Sequence, residues 1–426
     1  MMAFEKIFTL DTSSIKFGLG ATGEVGHDMK RLGSKRAMLV TDPNLAGSEP
    51  VSIALEALRR EGIEAVLYDA VHIEPTDVSF KEAIRFAVEG RFQGYVAVGG
   101  GSSIDTAKAA NLYATYPADF LTYVNPPIGK GQPVPGRLRP MIAVPTTAGT
   151  GSETTGVAIF DFLEMHAKTG IAHRALRPDI GIVDPNNTRT LPKTVAACTG
   201  LDVLGHALES YTALPFNRRQ APEHISLRPA YQGANPISDI WATRAIEIMS
   251  QNLPRVLKDP SDDEARTQMM LAATFAGIGF GNAGVHLAHA MSYPVSGMVR
   301  SYVPEGYPPD HPLIPHGMAV ILNAPTVFRY TASANPDRHL HAAKLMGVDT
   351  SNVKPEDAGQ LLADAIIVLM RQSSMPNGLS AVGFRPDDAQ KLVAGTISQH
   401  RLTKISPRPV DAASLKDLFL NSMTYW

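Results

Sequence analysis

Asp202 and His206 stand four residues apart in TGLDVLGHALESY, a segment with helical patterning. On a helix this spacing projects a carboxylate and an imidazole from one face, one turn apart, so the pair can hold a single divalent cation. Alone, a D-x-x-x-H pair is a weak signal, because a surface hydrogen bond between the two side chains is its commoner use. Further on, HLAHAMSY supplies His286 and His289, and HPLIPHG supplies His311 and His316, which puts four of the thirteen histidines in one short region. Three imidazole nitrogens and one carboxylate oxygen suit iron(II) or zinc and leave room for a substrate. A cation so held acts as a Lewis acid that lowers the pKa of a substrate hydroxyl and readies its carbon to release hydride. Spacing leaves open which of the four histidines bind.

A second set of residues suits a dinucleotide. The strand pattern GYVAVGG runs into Gly99, Gly100, Gly101, Ser102, Ser103, Ile104 and Asp105, followed by a helix expected over 106–114. Glycines at a strand-to-helix turn let backbone N–H groups approach a pyrophosphate, and the positive helix end favours the anion. Ser102 with Asp105 fits a capping box for that helix. The alternative is a tight turn without a ligand, and the GxGxxG fingerprint of an ordinary Rossmann turn is absent. Asp42, at the end of AMLVTD, can accept hydrogen bonds from ribose hydroxyls and would repel a 2′-phosphate, which favours NAD over NADP. The segment Thr146, Thr147, Ala148, Gly149, Thr150, Gly151, Ser152, Glu153 follows the strand pattern MIAVP with a dense set of hydroxyl and backbone donors, otherwise readable as a helix cap.

Two kinds of element must position these groups. Up to about residue 190, short β-branched runs at 37–41, 65–68, 94–98 and 141–144 alternate with helical patterns, as in a parallel α/β domain. Residues 125–140, NPPIGKGQPVPGRLRP, read as a surface loop within that domain. After Leu191-Pro192 the pattern changes to amphipathic helices at 195–211, 237–249, 264–280 and 355–370, and the boundary falls near Arg189, dividing the chain into 1–189 and 190–426. Two stretches rich in Pro and Arg, 215–236 and 300–315, read as loops inserted beside the site.

Composition narrows the partners. A chain of 426 residues with 44% hydrophobic and 19% charged residues is ordinary globular material and long enough for two domains. A formal net charge of −2 provides no basic field for a nucleic acid. Cys198 is the only cysteine, which rules out an internal disulfide and argues against thiol chemistry. Residues 1–10 include Glu5 and Lys6 and lack the layout of a signal peptide, and no run approaches the roughly 20 apolar residues that span a bilayer. The expectation is a cytoplasmic homo-oligomer acting on a small molecule, without membrane or nucleic-acid partners.

At this point the residues resemble the iron-containing, or group III, alcohol dehydrogenases. VGGGSSIDTAKAA, PTTAGTGSETT, DVLGHALESY, AGIGFGNAGVHLAHAM and PHGMAVIL appear in that family's order, over nearly the whole chain. IEPTDVSF, AANLYATYPADFL, RPAYQGANPISDIWA and HLAHAMSYPVSG are most similar to one branch, the hydroxyacid-oxoacid transhydrogenases. The resemblance implies an N-terminal α/β dinucleotide-binding domain, an all-α C-terminal domain and an active site in the interdomain cleft. Carried over by motif, the metal ligands are Asp202, His206, His289 and His316. The NAD contacts are Asp42, Gly100, Gly101, Ser102, Asp105, Thr146, Thr147, Thr150, Thr155 and Lys168.

Three positions depart from the family. Tyr293 stands where many members have a second histidine, His286 replaces a glycine and Glu74 replaces an asparagine, which makes His286 and Tyr293 candidates for catalytic donors. The branch implies oxidation of 4-hydroxybutyrate to succinate semialdehyde coupled to reduction of 2-oxoglutarate to 2-hydroxyglutarate, with NAD retained. Such substrates need a fixed cation, for which Arg218, Arg219, Arg228 and Arg300 are candidates. Two alternatives are an ordinary alcohol dehydrogenase that releases NADH and a non-catalytic NAD-binding regulatory protein.

Overall fold

The computed structural model describes residues 4–165, 167–309 and 311–426. They form two compact units, one spanning Thr12–Leu191 and the other Pro192–Trp426 together with the N-terminal segment that ends at Asp11.

The first unit is built on strands β1 (Ser14–Phe17), β2 (Arg36–Val40), β3 (Glu64–Tyr68), β4 (Gly94–Gly99), β5 (Met141–Pro145) and β8 (Ile180–Val183), in the order β1-β8-β5-β4-β2-β3. Every pairing is parallel. A parallel sheet is buried on both faces, and the central strands accordingly read as unbroken apolar runs. Alternation divides them between two layers. Leu39, Val96, Val98, Ile142 and Val144 pack with Val25 and Met29 of α1 (Val25–Arg31) and with Val51, Ala54 and Leu58 of α2 (Glu49–Arg60). Met38, Val40, Tyr95, Ala97 and Ala143 face Ala83 and Ala87 of α3 (Asp77–Gly90) and Ile104, Ala107 and Ala110 of α4 (Gly101–Thr115). An antiparallel pair, β6 (Val157–Phe162) and β7 (Ala167–Ala172), interrupts the expected strand–helix alternation.

From β2 the chain moves outward to β3, then returns to place β4 on the other side of β2. This is a topological switch point, where the carboxyl ends of neighbouring strands splay and leave a crevice.

The second unit is helical: α5 (Lys193–Thr212), α6 (Pro236–Lys258), α7 (Asp263–Ala283), α8 (Leu287–Gly297), α9 (His316–Ile321), α10 (Ala324–Thr331), α11 (Pro336–Leu345), α12 (Ala358–Gln372), α13 (Ala389–Ile397), α14 (His400–Thr403) and α15 (Ala412–Asn421). The expectation for α5 is corrected. Every residue from Gly200 to Thr212 is buried, so α5 is a central helix covered on all sides rather than an amphipathic one. The N-terminal segment is a second correction. It packs with the helical unit, because Thr9 N donates to Gln232 Oε1 (2.9 Å) and Asp11 N to Asn282 Oδ1 (2.8 Å). Among the described residues no single helix is long and apolar enough to cross a membrane, although α7 and α8 together pass by length and composition, bent by 102°.

Candidate active site

In the helical unit, α5 carries Asp202 and His206, α8 carries His289, and His316 is the first residue of α9. Small residues bring these helices together. A Cβ on Gly317 would lie 2.1 Å from Cys198 O and 2.8 Å from Asp202 Cβ, and one on Gly205 would lie 2.8 Å from Val320 Cγ1. Glycine at both positions therefore lets α9 press its N-terminus against α5. One potential ligand atom from each of Asp202, His206, His289 and His316 lies within 4.8 Å of all the others. His206 Nδ1 is 3.8 Å from Asp202 Oδ2, His289 Nε2 is 3.8 Å from Asp202 Oδ1, and His316 Nε2 is 4.0 Å from Asp202 Oδ1. These separations exceed hydrogen-bond reach, and the first three residues are buried, so a surface hydrogen bond between Asp202 and His206 does not explain the pair. His316 is partly exposed and marks the open side of the cluster.

Glu209, which sequence reasoning overlooked, lies one turn beyond His206 on the same helix. Its fully buried carboxylate accepts hydrogen bonds from the backbone N–H groups of Ala288 (2.6 Å) and His289 (3.3 Å) and from His289 Nδ1. It thus caps α8 from a neighbouring helix and fixes the His289 tautomer, leaving Nε2 as a lone-pair acceptor. Burial, with a smaller contribution from the Arg401 charge, pushes the His289 pKa down to about 3, so this ring is neutral. His289 Nε2 is buried without a hydrogen-bond partner and faces a carboxylate oxygen. Two acceptors so placed, beside two further imidazoles, form a donor set that fits one divalent cation. The spacing 202, 206, 209 was the signal available for Glu209.

His286 is placed differently from its expected role as a catalytic donor. It is fully buried, with Nε2 3.0 Å from Thr212 Oγ1, and Nδ1 lies 3.2 Å from Glu209 Oε1 without hydrogen-bond geometry, so the ring sits behind His289. Tyr293 lies closer to the cluster, its ring centre 6.3 Å from that of His316, and its hydroxyl accepts from Arg401 Nη2 at 3.4 Å. Cys198 is buried and its thiol pKa is pushed up to about 12 by burial, which leaves it protonated.

Two of the arginines expected to meet a substrate carboxylate pair with carboxylates of the protein, Arg228 with Glu5 (3.1 Å) and Arg300 with Asp388. Arg219 Nε donates to Gln232 O (2.7 Å), and its Nη2 is buried without a hydrogen-bond partner. Arg218 is exposed.

In the α/β unit the dinucleotide candidates gather at the carboxyl ends of β2, β4 and β5, on both sides of the switch point. Asp42 follows β2, and its Oδ1 accepts from Asn44 N (3.0 Å) in a local turn. Gly100 caps α4, which begins at Gly101 rather than at Thr106. Ser102 and Asp105 consequently lie inside the helix and form no capping box, and among the described residues no side chain caps its N-terminus. The glycines are required by close approach. A Cβ on Gly101 would lie 2.8 Å from Thr150 Cγ2, and one on Gly100 3.3 Å from Thr147 Cγ2, so the two loops pack directly on each other. Thr146 N donates to Gly99 O at 3.0 Å and joins them at the base.

Asp105 accepts from Ser152 Oγ (2.6 Å) and Ile159 N (2.9 Å) and staples α4 to the 152–159 segment. The fully buried Lys108, also overlooked, completes the staple with donations to Ser152 Oγ (2.5 Å), Val157 O (2.8 Å) and Thr155 Oγ1 (3.4 Å). Burial lowers the Lys108 pKa. Asp105 and Thr155 thus shape the loop from behind. Lys168 pairs with Glu74 (2.7 Å) and with Asp161 (3.1 Å); burial opposes its charge, but the two carboxylates outweigh it and hold its pKa above the usual value. Glu74 adopts a left-handed backbone (φ 56°) and donates its N–H to Ser102 Oγ at 3.2 Å, which ties Lys168 to the glycine loop.

Comparison with known proteins agrees with this geometry. The profile of the family described as iron-containing alcohol dehydrogenase matches residues 12–185, and that of the C-terminal part of the Fe-containing alcohol dehydrogenase family matches residues 230–423. The chain belongs to the iron-containing alcohol dehydrogenase family. It is 52% identical over 418 residues to the mitochondrial hydroxyacid-oxoacid transhydrogenases of Bos taurus and Homo sapiens, covering 98% of this chain and 90% of each relative. The crystal structure of a 1,3-propanediol oxidoreductase superposes with a TM-score of 0.85 at 28% identity, covering 98% of this chain and all of that one.

This member of the family is an oxidoreductase, and membership implies NAD and a divalent metal, for which Asp202, His206, His289 and His316 are a fitting donor set. The relatives' names overturn the cytoplasmic expectation, since these close relatives are mitochondrial. A lone cysteine excludes an internal disulfide without distinguishing one disulfide-free compartment from another.

Proposed function

We propose that this chain is a hydroxyacid-oxoacid transhydrogenase. It oxidises 4-hydroxybutyrate to succinate semialdehyde and reduces 2-oxoglutarate to 2-hydroxyglutarate, with NAD retained as the hydride carrier. The hydride and proton that leave the first substrate are returned to the second, so no net oxidant is consumed. The observation that carries the reading is the convergence of Asp202, His206, His289 and His316 within 4.8 Å, in a chain 52% identical to transhydrogenases.

In this reading the four side chains hold Fe²⁺, with Zn²⁺ the other cation that suits them. The donor set carries one negative charge, so a divalent cation there keeps a net positive charge and supplies Lewis acidity to a substrate oxygen. Glu209 keeps the His289 lone pair aimed inward, and the partly exposed His316 side admits the substrate. In the α/β unit, Gly100, Gly101 and Ser102 offer the open N-terminus of α4 to the pyrophosphate. Thr146, Thr147 and Thr150 line the facing loop, Asp42 meets the ribose hydroxyls and Lys168 supplies a fixed positive charge. Asp105 and Thr155 keep this loop in shape.

The test is to incubate the purified protein with both substrates and no added NAD. Succinate semialdehyde and 2-hydroxyglutarate should form in equal amounts. Rapid reduction of free NAD by 4-hydroxybutyrate, regardless of 2-oxoglutarate, would instead establish an ordinary alcohol dehydrogenase.

A further inference from the structure

Arg401, the second residue of α14, is a cation with no anion beside it among the described residues. Its Nη1 is buried without a hydrogen-bond partner, its Nη2 donates to the Tyr293 hydroxyl at 3.4 Å, and its guanidinium lies 4.6 Å from the centre of the Tyr231 ring. The groups that favour its charge are these two phenols, and among the described residues no carboxylate pairs with it. The residue is partly exposed, but shielding its Nη1 from water without an acceptor costs free energy that a folded protein ordinarily avoids by supplying a counter-charge. Its location gives the charge a use. Tyr293 lies one turn beyond His289 on α8, with its ring centre 6.3 Å from that of His316, so the guanidinium it touches is close to the cluster.

The two proposed substrates share one dimension. In 4-hydroxybutyrate the carbon that gives up hydride is three bonds from the carboxylate carbon, and in 2-oxoglutarate the carbon that receives hydride is three bonds from the distal carboxylate carbon. One fixed cation can therefore register both molecules on the same reacting position. We propose that Arg401, braced by Tyr293 and Tyr231, binds the distal carboxylate of each substrate in turn and sets the chain length the enzyme accepts. A planar guanidinium suits this role because it offers a carboxylate two parallel N–H donors. The inference rests on the transhydrogenase reading and names the residue that makes it selective for acids.

The experiment compares the wild-type holoenzyme with Arg401→Met and Arg401→Lys. The first readout is single-turnover reduction of the bound NAD, followed by NADH fluorescence, with 4-hydroxybutyrate and with the uncharged 1,4-butanediol. The wild type should prefer the acid, and Arg401→Met should cut that preference about 100-fold, since a paired buried charge is lost. The second readout involves no turnover. Glutarate, which has no hydroxyl or oxo group to react, should raise the melting temperature of the wild type and leave that of Arg401→Met unmoved. Without ligand, Arg401→Met should melt no lower than the wild type, because it removes a charge whose Nη1 is buried without an acceptor.

An unchanged acid preference with an unchanged glutarate response in Arg401→Met overturns the assignment while leaving the hydroxyacid reading intact. A wild type that does not distinguish the acid from the diol sinks that reading, and this inference with it. Should Arg401→Met not fold, Arg401→Lys decides. It keeps the charge but loses the fork, and a preference equal to the wild type's rejects the proposal, whereas about a tenfold loss supports it.

Discussion

In the helical unit the groups that face a ligand are side chains, set on three helices and steadied by a buried carboxylate. In the α/β unit they are chiefly backbone N–H groups and threonine hydroxyls, uncovered by glycines that pack against a neighbouring loop. The chemistry explains the contrast. A small cation needs few donors whose atom types and charge are specified, and only side chains supply those. A pyrophosphate is large, anionic and satisfied by N–H groups that every residue carries, so what matters is which residues stay out of the way. One unit is specified by what is present, the other by what is missing.

This contrast predicts that the two functions can be lost separately. Asp202→Ala should leave the protein with less than a tenth of its metal and slow hydride transfer about 1000-fold, the order expected when a Lewis acid is lost, while bound NAD is retained. Metal analysis and native mass spectrometry on one preparation check both. Gly101→Val should do the reverse, placing a branched side chain where a Cβ already meets Thr150 at 2.8 Å. NAD affinity is expected to fall about 100-fold with metal content unchanged, because close approach of the backbone to the pyrophosphate is blocked. Loss of metal and NAD together in either variant would break the comparison.

The same contrast explains what could be read from sequence. Asp202, His206, His289 and His316 announce themselves by residue type, although the His pairs alone left two candidates too many, and His286 proved to sit behind His289. The apolar runs of β2, β4 and β5 were plain because both faces of their sheet are buried. The start of α4 was misplaced because Gly101, Ser102 and Ser103 read as turn residues, whereas contact with the 147–150 loop makes them helical. The ion pairs of Arg228 with Glu5 and of Arg300 with Asp388 were not legible, because those partners lie near them only in the fold. Nothing in the local pattern reveals that Arg401 lacks such a partner among the described residues.

Glu209 sharpens the comparison with a smaller effect. Glu209→Gln keeps the shape and can still accept from one backbone N–H, but it removes the charge that holds the Nδ1 proton of His289. Metal affinity should fall about 30-fold, as for other groups that orient a ligand from behind, with NAD retention unaltered. Titration with a competing chelator measures it. An affinity equal to that of the wild type would reduce Glu209 to a helix cap.

The smallest effect tests whether a buried histidine that is not one of the four clustered ligands ties the stability of the helical unit to pH. His339 on α11 is buried, with Nδ1 donating to Asn335 O (2.8 Å) and Nε2 3.0 Å from Thr331 Oγ1. Burial pushes its pKa down to about 4. The unfolded chain has the ordinary imidazole value near 6.5, so as pH falls through that value the unfolded state takes up a proton that the folded state refuses. The stability that His339 contributes is therefore fully present above about pH 6.5, declines below it and is lost completely near pH 4, amounting to about 1 kcal/mol between pH 7 and pH 5.5. Urea unfolding of the wild type and His339→Gln at both pH values measures this slope together with the smaller change in His286, whose charge His339 opposes. The variant should be less stable at pH 7, because a neutral buried ring and its hydrogen bonds are disturbed, and the gap should narrow by that amount at pH 5.5. A gap that stays constant would mean that His339 accepts its proton inside the fold, and that burial in this unit protects its imidazoles less than the geometry requires.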